Sequence, residues 1–138
     1  MSKTFFFEIG QEEKISRVFT EQDVKNFAEI SGDQNPIHMD AVYAKSTYFG
    51  GRIVHGMLVA SLISSILGNQ LPGPGSIYIQ QDLYFKAPVF IGDKVTACVK
   101  VLDWDQNKGR INLLTKVTNQ KGNIVISGNA RLVMASYL

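Results

Sequence analysis

Asp33 and His38 bracket a proline in the segment Ser31-Gly32-Asp33-Gln34-Asn35-Pro36-Ile37-His38-Met39-Asp40, the densest run of chemically capable side chains in the chain. A carboxylate and an imidazole held across a proline-stiffened turn can face one space and share one water, the geometry that concerted proton transfer requires. Two other readings compete. A calcium loop beginning at Asp33 would put His38 where the sharp turn needs glycine and Ala44 where the chelating glutamate belongs, so no metal site is expected. Loop and capping chemistry explains each residue singly, since Asp, Asn and Pro form turns readily and Asp40 is an ordinary helix cap.

A second group lies downstream. Val54-His55-Gly56-Met57 opens an apolar helix, so the Gly56 amide should point out of a helix N-terminus with the dipole behind it. Such a donor suits a carbonyl oxygen that gains negative charge during reaction, and it typically supplies about 3 kcal/mol of transition-state stabilisation. Glycine also lets a substrate approach the backbone closely. His55 could titrate beside such a site or hydrogen bond the loop that shapes the Gly56 turn, and the sequence favours the second role.

The elements that must hold these groups divide the chain into a helical first half and a strand-rich second half. A short strand is expected at residues 14–19, followed by a helix capped by Thr20, with Glu21 and Asp23 in its first turn and Gly32 at its end. Pro36 biases Asn35 away from helical dihedrals, so residues 33–39 should form an ordered loop, after which Asp40 caps a short helix reaching Lys45. Residues 56–69 are apolar on nearly all sides and read as a helix buried all round, with Ala60, Ser61, Ser64 and Gly68 on a side open to close approach. From Ser76 the period changes to two and runs to Pro88 as one strand. Further strands at residues 93–105, 110–119 and 123–135 are joined by Asn107-Lys108-Gly109 and Lys121-Gly122-Asn123, which look like hairpin turns. A curved antiparallel sheet wrapped on the apolar helix satisfies this pattern, and its spare edge points to a dimer.

Bulk composition narrows the function classes. A chain of 138 residues, 45% apolar and 19% charged, is the size of one globular domain. Its 14 Lys and Arg against 12 Asp and Glu leave a formal charge of +2 without long like-charge blocks, so no nucleic-acid partner is expected. Cys98 is the single cysteine, excludes an intrachain disulfide and reads as a small buried hydrophobe. Residues 1–10 carry Lys3 and Glu8 and lack the apolar core and cleavage site of a secretory signal, while the greasiest run, residues 57–67, is too short to cross a bilayer. A cytoplasmic protein without a membrane partner is expected.

Taken together, Ser31-Gly32-Asp33 leading to Asn35-Pro36-Ile37-His38-Met39-Asp40, then Ile53-Val54-His55-Gly56-Met57, Gly75-Ser76-Ile77-Tyr78 and Phe85-Lys86-Ala87-Pro88-Val89 resemble the R-specific enoyl-CoA hydratases of the MaoC-like group, over essentially the whole chain. The resemblance implies an α+β hot-dog fold, a bent antiparallel sheet around the long helix starting near Gly56, assembled as a homodimer with sites near the subunit interface. It also implies that Asp33 and His38 are the catalytic pair, that the Gly56 amide binds the thioester of an acyl-CoA substrate, and that Ser64 lies near the acyl group. Asn35 sits between the catalytic pair, orienting His38 or the loop. The implied reaction adds water to C3 of a trans-2-enoyl-CoA, with Asp33 as main base and His38 holding the water and passing a proton to C2. No metal, flavin or nucleotide cofactor is needed, because the thioester is the electron sink.

Three rivals stand beside this reading. A 3-hydroxyacyl-[acyl carrier protein] dehydratase runs the same chemistry on another handle, and Lys86 and Lys100 as phosphate contacts do not decide between carriers. A hot-dog thioesterase is disfavoured because Gly56–Asn69 contains no Asp or Glu, and a noncatalytic acyl-CoA-binding module because the acid/base pair is complete.

Overall fold

The computed structural model describes residues 5–138, so the part of the leader reading that falls on residues 1–4 lies outside the described residues. The element order is β1 (Glu12–Val18), α1 (Glu21–Ser31), α2 (Pro36–Met39), α3 (Ala41–Lys45), α4 (Gly56–Asn69), β2 (Ser76–Gln81), β3 (Tyr84–Phe85), β4 (Lys94–Asp105), β5 (Arg110–Thr118) and β6 (Ile124–Met134), closed by a 3-10 turn at Ala135–Tyr137. The strands form one antiparallel sheet in the order β1-β4-β5-β6-β2, with β3 also paired to β6.

Period-two alternation explains the inner face of that sheet. Val95, Ala97, Val99 and Val101 of β4 and Ile111, Leu113 and Val117 of β5 are fully buried. They pack with Ile63, Ile66 and Leu67 of α4 in one apolar cluster. Each Val, Leu or Ile among them contributes roughly 1.5–3 kcal/mol by leaving water, which is why the sheet curls around this helix. The result is the hot-dog arrangement that the resemblance implies. Cys98 points to the opposite face yet is buried, between its cross-strand neighbours Lys14 and Lys116, and that burial pushes its thiol above the ordinary value. No helix among the described residues is long and apolar enough to cross a membrane.

Three expectations need correction. The first strand runs from Glu12 to Val18, two residues earlier than its alternation suggested, because its backbone pairs with β4 from Lys100 to Lys94 whatever its side chains are. Residues 76–87 are not one strand: β2 ends at Gln81 and β3 begins at Tyr84, with a register shift between Tyr78 and Gln80. Between them Asp82 meets β6 through its amide, on the Asn129 carbonyl at 3.0 Å, and through its carboxylate, which accepts from the Asn129 amide at 3.0 Å. Gly128 makes this crossing possible, since a Cβ there would lie 1.9 Å from the Asp82 carbonyl oxygen.

The third correction concerns α4. Val59, Ala60, Leu62, Ile63, Ile66 and Leu67 are buried, but Met57, Ser61, Ser64, Ser65 and Gly68 are exposed, so one chain's sheet covers only one side of the helix. The sheet's edges differ in the same sense. β1 carries Glu12, Glu13, Lys14 and Arg17, charges that keep an edge soluble, whereas β2 exposes Ile77, Tyr78 and Ile79.

Candidate functional site

The end of α1, the short helix α2 and the start of α4 meet at one place. Thr20 and Asp23 form a reciprocal cap at the head of α1, and Gly32 ends it in the left-handed conformation at φ 79°. Beyond that turn the Asp33 amide donates to Ser31 Oγ at 3.1 Å, and Asp33 Oδ1 accepts from the Asn35 amide at 3.2 Å. Residues 33–39 are therefore ordered as expected, but their last four wind into α2. Asn35 stays non-helical ahead of proline, its Oδ1 accepts from the Ile37 amide at 3.2 Å, and Pro36 occupies the first helical position. The Asn35 side chain thus shapes the loop that carries Asp33 and His38.

His38 is nearly buried, and its Nδ1 lies 2.8 Å from the Ile53 carbonyl oxygen. A carbonyl only accepts, so Nδ1 carries the proton and Nε2 is the nitrogen left for a ligand. Arg52 braces the same turn by donating from Nε to the His38 carbonyl at 2.6 Å and from a terminal nitrogen to Glu21 at 3.0 Å. That hydrogen bond, with the Lys25 charge, holds the Glu21 carboxyl below its ordinary value.

His55 sits behind the pair. Its ring centroid is 4.0 Å from that of His38, and its Nε2 is 3.0 Å from the Asp33 carbonyl oxygen. One donor atom each from Asp33, His38 and His55 fall within 4.8 Å of one another. Two imidazoles on one metal ion at a tetrahedral angle would hold their centroids roughly 5 Å apart. The observed 4.0 Å is a stacking distance. The cluster fits an imidazole stack beside a carboxylate better than a chelate.

A cavity of about 370 Å³ opens beside this stack, lined by His38, Gly56 and the apolar side chains of Phe49, Val54, Val59 and Phe85 among others. Gly56 is the first residue of α4, and its N-cap His55 makes no side-chain capping bond, so the first amides of the helix face outward. A Cβ at Gly56 would lie 2.8 Å from the Phe85 ring. Asp33 is exposed and stands outside the lining of this cavity. Ser64 is also exposed and outside the lining, eight residues along α4 and so about 12 Å from Gly56 along the helix axis. The structure brings Asp33 close to His38, sets His38 and Gly56 in one cavity wall, and leaves Ser64 on the open side of α4.

The MaoC like domain family model matches residues 7–123. The chain belongs to the MaoC-like family. Its relatives include the (R)-specific enoyl-CoA hydratase of Aeromonas caviae, 47% identical over 89% of this chain and 92% of that protein. The mitochondrial 3-hydroxyacyl-[acyl-carrier-protein] dehydratase of Arabidopsis thaliana is 35% identical over 96% of this chain and 80% of that protein. Among solved structures, the (R)-hydratase from A. caviae involved in PHA biosynthesis superimposes with a TM-score of 0.90 at 45% identity, covering 93% of this chain and 97% of that one.

Three features of this MaoC-like site escaped the sequence. Phe85 lies over Gly56, although its place in an alternating run marked it only as one face of a strand. Arg52 carried no motif signal, because its partners Glu21 and His38 are distant in sequence. The reach of His55 to the Asp33 carbonyl was half visible, as a loop-holding histidine without a named acceptor.

Gly56→Ala should lower kcat/KM for enoyl-CoA hydration by about 10- to 100-fold, because the new methyl would lie 2.8 Å from the Phe85 ring and force a shift in the cavity wall that both residues form. Steady-state kinetics check this. Adding Phe85→Leu should recover part of the loss, and no recovery would mean that the methyl acts some other way.

Proposed function

We propose that this MaoC-like protein hydrates trans-2-enoyl-CoA to R-3-hydroxyacyl-CoA, with Asp33 and His38 as the catalytic pair. The observation that carries the reading is that an exposed carboxylate and the His38 imidazole come within 4.8 Å of each other, with His38 and Gly56 both lining one largely apolar cavity. The names of the Aeromonas caviae relative and its solved structure support the substrate class and the stereochemistry.

In this mechanism the thioester carbonyl accepts from the Gly56 amide, which draws electron density from C3 and stabilises the enolate-like transition state. Asp33 takes a proton as the water oxygen bonds to C3. His38 holds the same water through Nε2, and the pair returns a proton to C2 on the same face, so water is added with no net change in either group. Ser64 and the open side of α4 receive the acyl group, and Asn35 keeps the loop in shape for substrate.

The functional unit is a homodimer. The exposed apolar β2 edge, with Ile77, Tyr78 and Ile79, supports this.

A hydration assay with short and medium trans-2-enoyl-CoA substrates, with product chirality determined, tests the reading, and sedimentation of the same preparation tests the dimer. Turnover to the R product by a species of twice the chain mass is expected. An S product, or no turnover of any enoyl-CoA, sinks the proposal. The Arabidopsis thaliana relative gives the carrier-protein handle its own support, and faster turnover of a matched acyl carrier protein substrate would reassign the handle while keeping the chemistry.

A further inference from the structure

We infer that His55 is a positioning residue for the Asp33–His38 pair, an imidazole whose Nε2–H clamps the main chain at Asp33 while its ring face holds His38 in place. This deepens the hydratase reading and rests on it. The carbonyl of Asp33 can only accept, so the proton of His55 lies on Nε2 at 3.0 Å from that oxygen. The carbonyl of Ile53 likewise puts the proton of His38 on Nδ1. The two histidines of the chain are therefore opposite tautomers, stacked with centroids 4.0 Å apart and planes inclined by 30°.

Phe27 of α1 packs against His55 with ring centroids 4.8 Å apart, and His55 is 1% exposed. Its Nδ1 is buried without a hydrogen-bond partner. A second proton there would create a buried donor with no acceptor, beside another imidazole, so the ring stays neutral. Burial is the main force holding His55 below the ordinary histidine value, and the His38 charge adds to it. The Asp33 carbonyl and the Asp33 carboxylate oppose them. A neutral clamp of this kind fixes the Asp33 backbone without competing for the proton in transit. The chemistry is sensitive to such placement, since a shift of about 1 Å at a reacting group can cost 100-fold in rate.

Two variants separate donor from ring. His55→Phe keeps an aromatic face and loses the donor, whereas His55→Gln keeps an amide N–H near the Nε2 position. We expect His55→Phe to lower kcat for crotonyl-CoA hydration by about 30-fold with KM within about threefold of the unaltered protein, and His55→Gln to stay within about fivefold in kcat. A purely structural role would give losses that follow thermal stability, without rescue by glutamine. Nitrogen-detected spectra of the labelled, unaltered protein contain only two imidazoles, and they should place the His55 proton on Nε2 and keep it neutral below the ordinary histidine value. Full activity in His55→Phe, equal losses in both variants, or a proton on Nδ1 of His55 overturns the inference. If His55→Phe does not fold, the spectra and His55→Gln decide. Absence of hydration by the unaltered protein would refute the hydratase reading itself, and the tautomer measurement would still judge the clamp.

Discussion

Asp33→Asn should lower kcat/KM for crotonyl-CoA hydration by about a thousandfold, or roughly 4 kcal/mol of transition-state stabilisation, while the protein melts close to its original temperature. The two halves of this expectation come from different atoms. Asp33 Oδ1 accepts from the Asn35 amide, and an asparagine oxygen can accept there too, so the turn that launches α2 survives. The His55 bond goes to the backbone carbonyl of residue 33 and is untouched by the change. What disappears is the capacity to take a proton from water, because a neutral amide is far too weak a base. Steady-state kinetics with thermal melts on the same samples separate the effects. A variant within tenfold of the original rate would remove Asp33 from the role of base, whatever the relatives do.

That a carboxylate and an imidazole meet at all was legible in the sequence, because Pro36 and the Asn35 cap act locally within the turn that joins them. Local signals also located α4, whose run from Gly56 to Asn69 matches the apolar stretch, and the β4–β5–β6 meander, whose strands are separated by turns holding Gly109 and Gly122. The expectations that failed depend on parts of the chain far apart in sequence. Alternation continues through Asp82 and Leu83, yet the strand breaks there because Asp82 bonds with Asn129 across a glycine. Apolar residues circle α4, yet one chain has too little sheet to cover the stripe of serines. The tautomers of the two histidines follow from carbonyls 15 and 22 positions away. No spacing rule reports such partners, since they are chosen by how the helices pack.

The second large effect is at His38, where the choice of variant decides what is learned. His38→Ala removes the proton carrier and also strips the Ile53 carbonyl of its donor and His55 of its stacking partner, in a nearly buried place. An unsatisfied buried acceptor costs about 1–3 kcal/mol, so this variant should lose stability along with activity. His38→Asn is cleaner, because its amide nitrogen falls near the Nδ1 position and can still donate to Ile53. We expect His38→Asn to melt closer to the original protein than His38→Ala, and both to lose about a thousandfold in kcat/KM. Combining Asp33→Asn with His38→Asn should then lower the rate little beyond either single change, because groups acting on one water fail together. Losses that instead multiplied, toward about a millionfold, would place the carboxylate and the imidazole in separate steps and dissolve the shared-water mechanism.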